Sequence, residues 1–478
     1  MTDLDRKINE QFPGLVVRKD LTKRVKGNAI VPSYVLEYLL GQYCATDDPD
    51  TIESGVERVK DILGQHYVHR NEAQLIRSKI REKGRHKVID KIGVELNEKY
   101  DRYEAAFSNL GLKKVPVDTD TVKKNPRLLV GGVWCIVDME YSHEEGSKEV
   151  PWIMASLKPI QVSRYDYEYF VNARKAFSMD EWIDLLVQTI GFEPSEMSWR
   201  QKLFQIARLI PYCERNYNII EIGPKGTGKS HQFSEFSPHG ILISGGEVTI
   251  PKLFVNNNTG KIGLIGYWDC VGFDEFTGTQ KKVDKSLVDI LKNYLANKTF
   301  SRGTETLGAE ASMAFIGNTR RSVSYMLKHT DLFEEVPEKY RDTAFLDRLH
   351  CYIPGWEVDI LRNEVFTSGY GFIVDYFAEI LKHQRDFDYT SDHEKYFRLN
   401  RSIAQRDRDA ILKTLSGLIK LIFPHREYTE EEMGTLLDFA LESRKRIKTQ
   451  LVRMDETYSP VAFSYTKLDS DEEREVAL

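Results

Sequence analysis

The segment GPKGTGKS has the composition of a loop that binds phosphate groups. It matches the pattern GxxxxGK[ST] and directly follows the apolar stretch NIIEI, which supplies the strand that such a loop requires. We expect Lys229 to reach the β- and γ-phosphates and the hydroxyl of Ser230 to bind Mg²⁺. A chance glycine-rich turn is the alternative, and the strand context disfavours it. The predicted phosphate-binding residues are Gly223, Pro224, Lys225, Gly226, Thr227, Gly228, Lys229 and Ser230.

Two further apolar stretches downstream of the loop each end in polar residues. IGYWDCVGFDEF ends in Asp274 and Glu275, and ASMAFIGN ends in Asn318. Asp274 is predicted to bind Mg²⁺ and Glu275 to orient an attacking water, with Asp269 as a weaker metal candidate. Asn318 is predicted to position water beside the γ-phosphate, although asparagine is also common in turns.

Arginines follow in two segments that suit contacts with phosphate. In EKYRDTAFLDRLHCYIPGW, Arg348 is preferred for stabilising the γ-phosphate of a neighbouring subunit, with Arg341 as a close second. An ion pair with a nearby aspartate is the alternative for both. In AQRDRDAILKT, Arg406 is predicted to touch phosphate of its own subunit from a lid helix, and Arg408 is the competing choice.

The elements that must position these residues alternate between helix and strand from about residue 200. Short apolar stretches ending in turns, with helical segments between them, predict an α/β fold with a parallel sheet. Helical spacing and the sequences SMDE at Ser178 and TEEE at Thr429 predict helices that begin with a capping box. The predicted domains are a helical domain with a basic patch (1–120), a small β domain (121–175), the phosphate-loop core (176–365), a helical lid (366–460) and an acidic tail (461–478). The end of this tail, LDSDEEREVAL, is expected to fray.

Composition narrows the class of protein. The chain has 478 residues, with 67 Lys and Arg against 73 Asp and Glu, so contact with nucleic acid would need a local basic patch. No apolar stretch is long enough for a membrane span, and the charged start lacks the core of a signal peptide. Five scattered cysteines without a CxxC pair favour a reducing compartment. We therefore expect a cytoplasmic protein without membrane contact.

The order of these motifs resembles that of AAA+ ATPases, and the detailed sequence resembles one family. ISGGEVTIPKLFVN, NKTFSRGTETLGAEASMAFIGN, YRDTAFLDRLHCYIPGW and LKTLSGLIKLIFP are similar to segments of the BrxL family, Lon-related AAA+ proteins of bacterial BREX phage-exclusion systems. FLDRLH also resembles the finger segment of Lon proteases, which favours Arg348.

This resemblance implies ATP and Mg²⁺ as cofactors, and a hexameric ring or stacked double hexamer that encircles DNA. It implies an MCM-like arrangement with an OB-like β region near the N-terminus, a role in antiviral defence in the bacterial cytoplasm, and other defence proteins as further partners. Family members usually continue into a Lon-like protease domain with a Ser–Lys dyad. Here few residues follow Pro424, so peptidase activity is not expected from this chain.

Two places have residue types that suit DNA phosphates. Lys298 and Arg302 flank Phe300 in NKTFSRGTE, where MCM-like rings project a hairpin into the pore. The second is the basic window from residue 77 to 91, with seven Lys or Arg and two acids, although such a run is often only a solvated helix face. Its candidate DNA contacts are Arg77, Lys79, Arg81, Lys83, Arg85 and Lys87.

Two other functions remain open at this point. A Lon-type protein unfoldase would grip polypeptide with an aromatic pore residue, for which Thr299-Phe300 is the candidate. A structural DNA clamp would use ATP mainly to stabilise the ring. The leading prediction is an ATP-hydrolysing ring that engages duplex DNA without reading its sequence.

Overall fold

The computed structural model of the chain divides into two compact units. The larger comprises residues 1–11, 165–372 and 377–478, and the smaller comprises residues 12–164 and 373–376. The structure describes residues 2–27, 30–44, 46, 48–129, 131–143, 150–162, 165–243, 248–255, 262–278, 283–302 and 305–478, without the side chains of residues 301, 302 and 305.

The smaller unit combines helices with an antiparallel sheet. The chain begins with helix α1 (Asp3–Gln11) of the larger unit. The elements of the smaller unit are β1 (Val16–Arg18), α2 (Asp20–Lys26), α3 (Ser33–Tyr43), α4 (Pro49–His66), α5 (Ala73–Lys83), β2 (Arg85–Asn97), β3 (Arg102–Phe107), β4 (Val115–Val117), α6 (Thr119–Lys124), β5 (Val133–Tyr141) and β6 (Trp152–Pro159). Within the described ranges, five strands pair in the order β4-β3-β2-β5-β6, and each neighbouring pair is antiparallel.

The expectation that residues 1–120 are mostly helical was wrong for residues 85–117, which hold β2, β3 and β4. Gly84, with φ of 75°, follows the last residue of α5, and the next residues are rich in β-branched side chains. Val88 and Ile92 of β2 are buried in the core of the sheet, which favours a strand over a continued helix. The basic window is consequently split between α5 and β2.

The larger unit is built on a parallel sheet. Its strands are β7 (Asn218–Gly223), β8 (Gly240–Ile243), β9 (Cys270–Phe273), β12 (Ser312–Asn318) and β13 (Cys351–Pro354). Among the described residues they pair in the order β13-β7-β12-β9-β8, and every neighbouring pair is parallel. This confirms the predicted α/β fold with a parallel sheet. Strand β13 was not predicted, since CYIP is too short to show a period.

Helices surround this sheet, and shorter strands complete the larger unit. The helices are α7 (Tyr167–Arg174), α8 (Met179–Ile190), α9 (Trp199–Ala207), α10 (Ile210–Cys213), α11 (Lys229–Glu235), α12 (Ile250–Leu253), α13 (Lys285–Asn297), α14 (Val323–His329), α15 (Thr343–Leu346), α16 (Val374–Gln384), α17 (Gln405–Ile422) and α18 (Glu430–Met454). The strands are β10 (Thr299–Arg302), β11 (Glu305–Gly308), β14 (Tyr370–Phe372), β15 (Phe397–Leu399), β16 (Ser464–Lys467) and β17 (Glu473–Glu475). The capping boxes predicted for α8 and α18 are both present.

The C-terminal segment is folded, so the expectation of a frayed tail was wrong. β15, β16 and β17 form an antiparallel sheet in the described part of the chain. Phe463 and Tyr465 are buried, and the hydroxyl of Tyr465 donates to Asp438 of α18 at 3.0 Å. The acidic composition of the segment predicted a frayed end and gave no weight to these two buried aromatic residues. Across the helices that the structure describes, none has the length and apolar composition needed to cross a membrane.

Phe463→Ala is expected to lower the free energy of unfolding by about 3 kcal/mol, because it removes a buried ring and leaves a cavity. Leu468→Ala, in the same segment but 43% exposed, is the control and is expected to change it little. Urea unfolding followed by circular dichroism measures both. Equal stability of the two variants would contradict the burial of this segment.

Candidate nucleotide site

The phosphate loop follows β7, an interior strand of the parallel sheet. All residues of β7 are buried, and β12 and β13 flank it. A Cβ at Gly223 would lie 2.4 Å from the backbone of Gly355, so this position tolerates only glycine. Gly228 has φ of 77°, a conformation that glycine adopts readily, and Lys229 starts α11 directly after it. Strand, tight loop and helix therefore follow one another as the motif predicts.

The ammonium group of Lys229 lies inside the loop. Its Nζ donates to the carbonyl oxygens of Gly223 at 3.4 Å and Pro224 at 2.5 Å, and to Oγ1 of Thr227 at 3.2 Å. Burial lowers the pKa of Lys229, while the carboxylate of Glu221 opposes and the guanidinium of Arg208 adds to this shift. A phosphate group brought into the loop would replace neutral carbonyl partners with negative oxygens.

The two predicted metal-binding side chains are in contact. Oγ of Ser230 donates to Oδ1 of Asp274 at 3.0 Å, which joins the start of α11 to the end of β9. Oδ1 of Asp274 also accepts the backbone N–H of Glu275 at 2.8 Å. Glu275 is exposed beyond the strand, with φ of 49°. A hydroxyl and a carboxylate at this spacing suit a hard cation such as Mg²⁺.

Asn318 and Glu275 line one cavity of ≈ 440 Å³ beside the loop. Thr277 joins their two strands: its Oγ1 accepts the N–H of Asn318 at 2.9 Å and donates to the carbonyl of Asn318 at 3.0 Å. Lys225 and Arg320 also line this cavity, so two cations face it together with the carboxylate. The predicted neighbours Glu275, Asn318 and Lys225 are thus brought together.

Arg348 lies at the opposite edge of the sheet. The N–H of His350 donates to the carbonyl of Asn218 at 2.7 Å, and Nδ2 of Asn218 donates to the carbonyl of Arg348 at 3.3 Å. Since Asn218 begins β7 and Gly223 ends it, about 3.3 Å per residue puts roughly 16 Å between Arg348 and its own phosphate loop. That separation exceeds the reach of an arginine side chain.

Arg406 does not lie at the phosphate loop, contrary to the prediction that it touches phosphate of its own subunit. Its guanidinium pairs with Asp347 at the amino edge of the sheet, beside Arg348. Burial, and secondarily this neighbouring guanidinium, lower the pKa of Arg348. The competing choice, Arg408, donates to the carbonyl of Asn400 at 3.2 Å.

The two weaker candidates are held elsewhere. Arg341 forms an ion pair with Asp331 at 2.7 Å, which is the alternative to a contact with phosphate. Asp269 precedes β9, and its carboxylate lies 3.7 Å from Arg385 and 3.8 Å from Lys382, one strand length away from Asp274. Neither residue shares the site around Ser230.

Comparison with known proteins gives the family. The model described as "Lon-like protease BrxL-like, ATPase domain" matches residues 152–464, and "BREX system Lon protease-like protein BrxL N-terminal" matches residues 10–141. "Lon-like protease BrxL" of Bacillus cereus (strain H3081.97) is 48% identical over 482 aligned residues, which cover 100% of this chain and 71% of the relative. The chain belongs to the BrxL family. The protein of the same name from Escherichia coli O9:H4 (strain HS) is 46% identical over 98% of this chain and 68% of that relative.

The family assignment gives this chain a Lon-like ATPase domain of the kind found in BREX systems. The phosphate loop, Ser230, Asp274, Glu275 and Asn318 all lie within the matched ATPase segment. BrxL membership therefore agrees with an AAA+ ATPase that uses ATP.

The predicted DNA contacts differ in their surroundings. Arg77 donates to the carbonyl of Leu110 at 2.6 Å, and Arg85 pairs with Asp138 at 2.6 Å, so both have partners within the smaller unit. Lys298 is exposed at the end of α13 with φ of 61°. The side chain of Arg302 lies outside the described residues. The remaining cations of the basic window, Lys79, Arg81, Lys83 and Lys87, are half-buried or exposed.

Sequence reasoning missed several residues of the site. Glu221 is buried within β7, and a charged residue inside the apolar stretch NIIEI is the signal that could have identified it. Arg320, two residues beyond Asn318, shares the cavity but follows no motif. The N–H of Leu361 donates to the carbonyl of Gly226 at 2.8 Å, a contact between distant segments that no local pattern predicts.

Ser230→Ala is expected to remove the effect of Mg²⁺ on nucleotide binding, because the hydroxyl paired with Asp274 is lost. ATP hydrolysis is expected to fall about a hundredfold. Titration of a fluorescent ATP analogue with and without Mg²⁺ measures the first effect. Ser234→Ala, an exposed serine one turn later in α11, is the control. Unchanged dependence on Mg²⁺ in Ser230→Ala would contradict the metal site.

Proposed function

We propose that this protein is a ring-forming ATP hydrolase that binds ATP and Mg²⁺ between neighbouring copies and engages DNA in BREX defence. Lys229, Ser230, Asp274, Glu275 and Asn318 of one copy hold and activate the nucleotide. Arg348 of the next copy stabilises the charge that develops on the γ-phosphate. Arg320 and Arg406 are additional cations at the two faces of this interface.

The observation that carries this proposal is the position of Arg348. The loop and its metal-binding pair lie beyond the carboxyl ends of the strands, whereas Arg348 precedes β13 at their amino ends. One copy would therefore carry the two halves of the proposed site at opposite edges of one sheet. Two copies placed head to tail would complete it, and a head-to-tail contact that closes on itself forms a ring.

Mixing two inactive variants tests whether Arg348 acts on a neighbour. Arg348→Ala retains the phosphate loop, and Lys229→Ala retains Arg348, so a mixed assembly contains interfaces with both groups. We expect each variant alone to hydrolyse ATP at least about a hundredfold more slowly than the parent. Steady-state phosphate release should rise when they are mixed.

The matched control mixes Arg348→Ala with the double variant Lys229→Ala, Arg348→Ala, which supplies no intact arginine. No recovery is expected from that mixture. If the first mixture never exceeds the sum of its separate components at any ratio, Arg348 does not act between copies.

DNA binding is proposed for the basic surface of the smaller unit, defined as Lys79, Arg81, Lys83 and Lys87. No carboxylate among the described residues forms an ion pair with any of the four. Burial lowers the pKa of His86, and Lys79 and Lys83 lower it further, as expected beside concentrated positive charge. A surface of this kind binds phosphates without reading bases. The MCM-like and OB-like arrangement belongs to the same proposal, and so do the predicted domain bounds, without the helical assignment of residues 85–117 and without the frayed tail.

A protein unfoldase is the less favoured function. Its aromatic gripping residue would have to be exposed, but Phe300 is 1% exposed and packs against Phe254 and Tyr294. Lys298, in contrast, is exposed at the start of the same hairpin, where a contact with DNA phosphate is proposed.

The double variant Lys83→Glu, Lys87→Glu is expected to bind duplex DNA at least about tenfold more weakly than the parent. The plot of log affinity against log salt concentration has a negative slope, and its magnitude should decrease by about one to two because phosphate contacts are lost. Fluorescence anisotropy with duplexes of two unrelated sequences measures both.

Lys123→Glu, Lys124→Glu makes the same change in net charge on α6 of the same unit and is the control. Equal losses in the two double variants would indicate a general charge effect and contradict the basic surface. Parent binding with a strong sequence preference would contradict phosphate recognition.

A further inference from the structure

A carboxylate lies within β7, an interior strand of the ATPase sheet. Glu221 of β7 is 1% exposed, and its strand neighbours are Ile316 of β12 and Ile353 of β13. A charge buried between apolar strands is costly unless it is fully paired. Local packing alone would favour an apolar residue at this position.

The partner of Glu221 is Arg208, which follows α9 and is itself fully buried. Nε of Arg208 donates to Oε2 of Glu221 at 2.8 Å, and Nη2 donates to Oε1 at 2.6 Å. This is a bidentate pair, the geometry in which arginine binds a carboxylate most specifically.

The same guanidinium reaches the phosphate loop. Nη1 and Nη2 of Arg208 each lie 3.3 Å from the carbonyl oxygen of Thr227. Nη1 also donates to Oε1 of Gln205 at 2.6 Å, and Nε2 of Gln232, on α11, donates to that same oxygen at 2.6 Å. One buried network thus joins the strand before the loop, the loop itself and the helix after it.

Holding the carbonyl of Thr227 has a consequence for the next amide. The C=O and N–H bonds of a trans peptide lie in its plane and point in opposite directions. Since the Thr227 carbonyl points toward the buried Arg208, the N–H of Gly228 points away from it. In a loop of this type, backbone N–H groups that point away from the interior would surround a β-phosphate.

We propose that Arg208 and Glu221 are positioning residues that fix the Thr227–Gly228 peptide for nucleotide binding. Glu221 orients the guanidinium, and Arg208 holds the carbonyl of Thr227. This inference rests on the proposed binding of ATP by the loop. The β-phosphate is common to ATP and ADP. Loss of the Arg208–Glu221 pair should therefore lower the affinity for both nucleotides by the same factor, whereas loss of a γ-phosphate contact would lower the affinity for ATP alone.

A purely structural pair predicts a different result. Replacing both members of a buried ion pair with apolar residues often preserves stability, whereas removing one member leaves an unpaired charge. The double variant Arg208→Met, Glu221→Leu therefore separates the two roles. Arg208→Lys is the conservative variant. It retains the positive charge, but an ammonium group cannot donate to Glu221 and Thr227 with the planar geometry of a guanidinium.

The experiment titrates fluorescent ATP and ADP analogues into the parent chain, the double variant and Arg208→Lys, at a temperature at which circular dichroism shows each to be folded. For the double variant we expect affinity for both nucleotides to fall about tenfold or more, by equal factors, with a melting temperature close to that of the parent. The affinities of Arg208→Lys should lie between those of the parent and of the double variant. If the double variant does not fold, the same titration of Arg208→Lys tests the inference.

The matched control removes another buried pair of the same unit, Lys420 and Glu214, whose charged atoms are 2.7 Å apart. Lys420→Met, Glu214→Gln is expected to leave both affinities unchanged, whatever its melting temperature. Parent-like affinities in both Arg208 variants, or a loss for ATP alone, would overturn the inference. A parent chain that binds neither nucleotide would overturn the proposed function as well.

Discussion

Parallel strand direction is the constraint on which the ATPase site depends. Because β7, β9 and β12 run the same way, their carboxyl ends meet at one edge of the sheet, and Lys229, Asp274 and Asn318 follow from those ends. The same constraint sends the segment before β13, with Arg348, to the opposite edge. No rotation of side chains brings the two sets together within one copy. A second copy is therefore part of the chemistry if Arg348 takes part in it.

At each edge of the sheet, a buried ion pair also contacts a further group. At the carboxyl edge, Glu221 and Arg208 lie beneath the phosphate loop. At the amino edge, Asp347 accepts from Arg406 and, at 2.6 Å, from the fully buried Arg444. Removal of Asp347 would leave the cations around Arg348 without their shared counter-charge. Charges that would be costly singly are thus paired beside the two groups that are proposed to meet nucleotide.

Local signals in the sequence were sufficient for the parts of the site that follow one another along the chain. The glycine spacing, the acidic strand end and the capping boxes depend on neighbouring residues, and the structure has each of them. Contacts between distant segments left no such signal. Arg406 pairs with Asp347, and Leu361 binds Gly226, only because the fold brings them together. Composition was also misleading at the acidic C-terminus, where two buried aromatic residues decide the structure.

β13 is a strand of four residues that connects the two edges of the sheet. Arg348 precedes this four-residue strand, and after it Gly355 packs against Gly223 while Leu361 binds the carbonyl of Gly226. If Arg348 meets the nucleotide of one neighbour, the other end of the same strand touches the loop that holds this copy's own nucleotide. Displacement of Arg348 along the strand would then press on the phosphate loop directly, because two glycine backbones in contact leave no side chain to absorb the movement.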